Sequence, residues 1–188
     1  WGTGPGRLSC DDPERFIRGR MNAAPVSGAP EIRLHLAGPS SGLARRFGED
    51  AVEPYWAFVW GGGLALARHL LDRPAVVTGR RVLDLGSGSG LVAIAAMRAG
   101  AASVLAVDVD PRAATAALLN AALNDVEIGA VTADLLDGPA PDTVDVVLVG
   151  DLFYEAGLAE RTLAFLHRCR AAGMEVLIGD PGRPTLPV

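Results

Sequence analysis

From Arg81 to Gly179 the chain alternates short apolar runs with longer stretches of helical periodicity. The apolar runs fall at 81–85, 103–107, 127–131, 145–149 and 175–179, and the helical stretches at about 90–99, 111–123 and 157–171. Strands that read as near-continuous apolar runs are covered on both faces, and helical spacers form the crossovers between parallel strands. The pattern predicts an α/β protein with a Rossmann-like, doubly wound, mostly parallel sheet. Pro111 starts its helix where a missing N–H costs nothing, and Asp110 before it is placed to cap.

Upstream the pattern is less regular. Asp11–Glu14 ahead of Arg15–Arg18 predicts a short capped helix. Asn22 to Pro30, rich in Pro, Gly and Ala, reads as a connector. Glu31–Leu36 alternates strictly and predicts a strand with one wet face, His35 lying on its polar side as a surface histidine. Gly38–Glu53 mixes turn residues with a helical fragment around Leu43–Phe47. The run Pro54–Trp60 carries four of the chain's ten aromatic residues, then come Gly61–Gly63 and a helix expected over 64–71 and stopped at Pro74. Tyr55 and Phe58 are expected to pack that helix against the sheet. Trp60, directly before the glycines, is expected to contact a ligand. The organisation expected is an N-terminal extension over 1–53 and a globular domain over 54–188.

Composition narrows the function classes. The chain has 188 residues, 49% hydrophobic and 21% charged, and a net charge of −5. That is the make-up of an ordinary globular domain, and the acidic balance argues against a nucleic-acid groove built on a basic surface. Cys10 and Cys169 have neither metal-ligand spacing nor a secreted disulfide pattern and read as free thiols, and no metal site is expected. No apolar run is long enough for a bilayer span and no signal-peptide layout is present, so no membrane partner is expected. Because the chain begins at Trp1, a targeting segment upstream remains compatible with the sequence.

The candidate chemistry starts at Val82-Leu83-Asp84-Leu85-Gly86-Ser87-Gly88-Ser89-Gly90, an apolar strand running into a glycine turn and a helix. A dinucleotide loop needs a small residue at the sixth position of Gly-x-Gly-x-x-Gly, and here that position is Leu91. The acid-led spacing Asp84-x-Gly86-x-Gly88-x-Gly90 suits S-adenosylmethionine, whose product is S-adenosylhomocysteine. Asp84 can receive the ligand's ammonium group directly or through water, and the backbone N–H groups from Gly86 through Ser87 to Gly90 can take its carboxylate. Asp108 ends the second strand 22 residues after Gly86, where a ribose diol finds its acceptor, and Val109 follows it into the site. Asp134, after the third strand, could meet the adenine amino group or cap a turn.

In such a sheet the fourth strand lies beside the first, so Asp151 and Tyr154 of Gly150-Asp151-Leu152-Phe153-Tyr154 are expected at the pocket mouth. Methyl transfer is an in-line displacement in which positioning is most of the catalysis. Asp151 is assigned to orienting an incoming amine, its alternative being a cap on the following helix. Tyr154 and Phe153 are assigned to a slot tolerant of cations. The last strand brings Asp180 to the same edge, with Arg183 free to pair with a pocket acid, a substrate carboxylate or its own turn.

Taken together, Pro54–Trp60 before glycines, the Asp84–Gly90 loop, Asp108–Pro111, Gly150–Tyr154 and Gly179–Pro184 make the chain resemble the seven-strand protein-lysine methyltransferases. It is most similar to the electron-transfer flavoprotein β-subunit lysine methyltransferases and their bacterial relatives, over roughly Glu31 to Pro187. The resemblance implies that Trp60, the glycine loop and Asp108 bind S-adenosylmethionine and that Asp151 and Tyr154 present a target lysine. It implies a protein substrate, the electron-transfer flavoprotein β-subunit, with a monomeric enzyme in the bacterial cytoplasm. Such enzymes continue past the fifth strand into a final hairpin, while this sequence stops at Val188. All 17 basic residues are arginine. A GC-rich coding sequence accounts for this, and so would protection of a lysine-modifying enzyme from itself. A related enzyme acting on a small molecule or another protein, and a non-catalytic cofactor-binding domain, are the competing readings.

Overall fold

A computed structural model describes residues 12–39, 41–43 and 54–186. The helical fragment expected around Leu43–Phe47 and the thiol of Cys10 lie largely or wholly outside the described residues. Helix α1 (Pro13–Arg20) begins as expected, with the Asp12 carboxylate accepting the Arg15 N–H at 3.0 Å and proline at the first helical position.

The stretch expected as a connector is instead a strand. Residues Asn22–Val26 form β1, which turns at Ser27–Gly28 and pairs antiparallel with β2 (Ala29–Leu36). Only Val26 of β1 is buried, so no alternation announces the strand. Pro25 is tolerated because β1 pairs on one side only, where no second ladder needs its N–H.

The main sheet is parallel, in the order β5-β4-β3-β6-β7. Its strands are β3 (Arg81–Leu85), β4 (Ser103–Asp108), β5 (Gly129–Thr132), β6 (Val146–Gly150) and β7 (Glu175–Gly179), joined by α3 (Leu91–Arg98), α4 (Pro111–Leu123) and α5 (Ala156–Ala171), with α2 (Gly61–Asp72) before β3. Successive residues point to opposite faces. Val82, Val104, Ala106, Val146 and Leu148 meet α2, α3, α4 and the hairpin, whereas Leu83, Leu85, Val107, Val147 and Val149 meet Phe153 and the Phe165, Leu166 and Cys169 side chains of α5. Cys169 is a buried free thiol. Among the described residues no helix is long and apolar enough to cross a membrane.

Helix α2 starts three residues earlier than its propensity predicts, at Gly61. A Cβ on Gly62 would collide with the Gly179 carbonyl oxygen, and one on Gly150 would lie 2.9 Å from the Gly63 Cα. Close backbone approach to the ends of β6 and β7 overrides the low helix propensity of glycine.

The hairpin is tied to α4 by two buried asparagines one turn apart. Asn124 accepts the Arg33 N–H at 2.9 Å and donates to the Arg33 carbonyl at 2.6 Å, completing the free edge of β2 as a strand would. Asn120 accepts the His35 N–H at 2.8 Å and donates to the Ser89 carbonyl at 2.8 Å, linking the hairpin to the glycine loop. His35 is therefore half-buried, with its Nδ1 also 2.9 Å from Asn120 Oδ1, rather than a surface histidine.

Candidate active site

The chain builds β3, β4 and β5 outward on one side and then returns to place β6 and β7 on the other. Strand order thus reverses between β3 and β6, the point at which open α/β sheets bind ligands outside their carboxyl ends. A cavity of about 700 Å³ opens there, within the range of roughly 300–1,000 Å³ usual for small-molecule sites.

The glycine loop forms one wall. Gly86, Gly88 and Gly90 have φ of 70°, 50° and 79°, left-handed values that a side chain disfavours. Gly86 and Gly88 line the cavity, whereas Gly90 packs away from it: a Cβ there would lie 2.9 Å from both Cα and Cβ of Ala117 on α4. Ser87 is buried behind the loop and its hydroxyl has no hydrogen-bond partner among the described residues.

Asp84 does not line the cavity. It is 1% exposed beneath the loop, and its Oδ2 accepts the N–H of Ala93, the third residue of α3, at 3.0 Å. Burial pushes its carboxyl up to about 7, the Ala93 hydrogen bond opposing and the Asp108 charge adding.

Asp108 does reach the cavity. Its two oxygens accept the N–H groups of Gly88 at 2.9 Å and Asp110 at 3.0 Å, so it also fixes the loop, and burial raises its carboxyl above the ordinary value. Asp110 caps α4 through the Arg112 N–H at 2.8 Å, as its position predicts. Val109 is exposed and lines the cavity. Asp134 lines it too, but its oxygens hold the Leu136 N–H and the Arg161 guanidinium, which keeps its carboxyl below the ordinary value.

The aromatic run supplies a second wall. Tyr55 and Phe58 are 40% and 43% exposed rather than packed between helix and sheet, and the buried ring of this run is Trp56, 2% exposed and set against Ile17 of α1 and Ala113 and Ala116 of α4. A single 3₁₀ turn, Tyr55–Ala57, decides which ring points inward, and no periodicity in a run that short reports it. Trp60 donates from Nε1 to the Tyr55 carbonyl at 2.9 Å, and its ring meets Tyr55 edge-on at 5.5 Å. Tyr55 lies 5.6 Å from Tyr154, so three rings line the cavity side by side. Trp56 also lines it, and its indole N–H has no partner among the described residues.

Asp151 lies where β6 ends, at φ 59°, an uncommon value for a residue with a side chain that marks local constraint. It does not cap the following helix. Its Oδ2 accepts the N–H of Gly63, the third residue of α2, at 2.6 Å, and its Oδ1 lies 2.8 Å from Nη1 of Arg183. Tyr154 is half-exposed, and burial, with Tyr55 alongside, raises its phenol above the ordinary value.

A family model described as Ribosomal protein L11 methyltransferase (PrmA) matches residues 65–152. The electron transfer flavoprotein beta subunit lysine methyltransferase of Xenopus laevis is 44% identical over 182 residues, covering 95% of this chain and 74% of that protein. The chain belongs to that family. The human relative is 44% identical over 161 residues, 82% of this chain and 60% of its own length, so the chain spans about three fifths to three quarters of these two relatives. Among solved structures, the Trypanosoma brucei PRMT1 enzyme–prozyme complex with AdoHcy shares the fold, with a TM-score of 0.50 at 18% identity over 61% of this chain and 38% of that one.

In this methyltransferase, Trp60, Gly86, Gly88, Asp108, Val109, Asp134, Asp151 and Tyr154 surround one cavity, and Asp84, Ser87 and Gly90 stand behind its wall. Trp56, Tyr55 and Leu136 line it without having been expected there. Only the density of aromatic residues over 54–60 could have pointed to the first two.

Proposed function

We propose that this methyltransferase moves a methyl group from S-adenosylmethionine to lysine side-chain amines of the electron-transfer flavoprotein β-subunit. The observation that carries the proposal is the sharing of one cavity by Gly88 and Asp108, at the ends of β3 and β4, with Asp151 and Tyr154, at the end of β6. The names of the relatives supply the target.

The residues present fit the cofactor. Trp56 belongs to the cavity wall and its buried indole N–H has no acceptor among the described residues, and Gly86 and Gly88 leave the wall open where side chains would fill it. Asp108 accepts one backbone N–H on each oxygen, leaving lone pairs for a diol. Val109 and Leu136 offer apolar surface for a flat base. Asp84 acts from behind, holding α3 to the loop. Bound there, S-adenosylmethionine supplies an electrophilic methyl group on a sulfonium and departs as S-adenosylhomocysteine. Asp151 accepts a hydrogen bond from the incoming amine and fixes its direction, and the Tyr154 and Tyr55 rings offer cation–π attraction to the positive sulfonium. The enzyme works as a monomer in the compartment of its flavoprotein, which we take to be the bacterial cytoplasm.

The test is transfer of labelled methyl groups to the purified flavoprotein of the same organism, with cofactor binding followed by calorimetry. Asp151→Ala is expected to lose transfer while S-adenosylhomocysteine still binds. Undiminished transfer by Asp151→Ala would remove the role assigned to it, and label appearing only in low-mass products would replace the protein substrate by a small molecule.

A further inference from the structure

The two oxygens of Asp151 are held differently. Oδ2 is anchored by the Gly63 N–H, whereas Oδ1 is itself buried, with the Arg183 guanidinium 2.8 Å away but no aligned hydrogen bond. The guanidinium of Arg183 is aimed elsewhere: Nη1 donates to Asp180 Oδ2 at 2.7 Å, and Asp180 Oδ1 is fixed by the N–H groups of Gly182 and Arg183 at 2.8 and 2.7 Å. A permanent positive charge is thus pinned beside the Asp151 carboxylate. Arg183 lines the cavity; the Asp180 side chain is buried and does not.

This matters because a carboxylate alone is a poor host for a nucleophilic amine. Lysine ionises near 10.4, and an adjacent negative charge favours the ammonium form, which has no lone pair to react. A like charge nearby does the reverse.

We propose that Arg183 is a positioning residue for the reaction: its fixed charge offsets the field of Asp151, so that an amine oriented by that carboxylate is nonetheless neutral. The ammonium loses one proton to water on entering the site, and no protein group has to keep it. This rests on the lysine reading above. The other charged groups around the cavity leave Arg183 in charge of that field. Asp134 is paired with Arg161 and Asp110 with Arg112, Asp108 is engaged with the glycine loop, and Tyr154 and Glu155 follow on the Asp151 segment itself. The first turn of α2, Gly61–Gly63, carries no ionisable side chain.

Two substitutions pull in opposite directions. In single-turnover transfer to the flavoprotein between about pH 7 and 10, Arg183→Gln is expected to move the rise of rate with pH upward by about one unit, with roughly tenfold loss near neutrality recovered in base. Asp180→Asn, which removes a negative charge, is expected to move it downward. A second readout needs no cofactor: calorimetry of flavoprotein binding near the wild-type midpoint, in two buffers of different ionisation heat, counts protons released, which should fall in Arg183→Gln and rise in Asp180→Asn. An unmoved midpoint in Arg183→Gln, or shifts of the same sign in both variants, overturns the proposal. Should Arg183→Gln not fold, Asp180→Asn and its proton count decide alone. Wild-type enzyme that binds S-adenosylhomocysteine but methylates no lysine would overturn the lysine reading and the Arg183 role with it. Wild-type transfer with an unmoved midpoint removes only the latter.

Discussion

Replacing Asp84 with asparagine isolates the cost of burying a carboxylate under the glycine loop. Its folded-state value of about 7, against the ordinary 3.8, corresponds to about 4 kcal/mol once the group is ionised in both states, a large part of the roughly 5–15 kcal/mol that holds a domain together. The sign follows from proton counts. Below about pH 4 both folded and unfolded chains hold the proton and the burial is free of this cost. Between about 4 and 7 the folded chain keeps a proton that the unfolded chain has released, so stability falls as pH rises, and above 7 the loss is constant. Asparagine keeps an oxygen for the Ala93 N–H and cannot ionise. Urea unfolding of the two proteins at pH 5 and pH 8 should show the Asp84→Asn variant gaining on wild type by about 3 kcal/mol between those values, shared effects of other groups cancelling. Equal differences at both pH values would mean that Asp84 ionises normally and that its burial is compensated by a partner absent from this account.

The loop glycines separate in the same assay. Gly90→Ala meets both a left-handed φ and the 2.9 Å approach of Ala117, and should cost more than ~2 kcal/mol, whereas Gly88→Ala meets only the conformational term, about 1–2 kcal/mol, its nearest neighbour being the Trp56 Cα at 3.8 Å. Equal losses would show that α4 yields easily. Asn120→Ala leaves the Ser89 carbonyl and the His35 N–H without partners and should cost about 2–4 kcal/mol, with S-adenosylhomocysteine affinity falling because the loop loses its tie. Unchanged affinity in that variant, measured by calorimetry, would show that the loop holds its shape without the hairpin.

What the sequence discloses here is what is encoded locally. β3, β7 and α4 have the limits that apolar runs and Pro111 predict, because parallel strands covered on both faces are apolar throughout. Asp108 and the Gly86–Gly88 turn could be placed for the same reason, since a strand end and its loop are adjacent in the chain. The misreadings all involve pairings or turns that the local residue pattern does not report. β1 is exposed along most of its length and exists through its ladder with β2. Gly61–Gly63 is helical because Gly150 and Gly179 come close. Trp56 rather than Tyr55 turns inward through one 3₁₀ turn. The contact between Asp151 and Gly63 spans 88 positions, and nothing in either neighbourhood signals it. Asp84 looked like a ligand contact by spacing alone, and the cavity lies beyond the loop that covers it.

The central claim is methyl transfer from this cavity to a lysine of the flavoprotein β-subunit. Tandem mass spectrometry of that subunit after incubation with the enzyme and S-adenosylmethionine tests it most directly. Mass increments of one methyl each are expected, located on lysine side chains and absent when Asp151 is alanine. An unmodified subunit, or methyl groups on any other residue type, would contradict it.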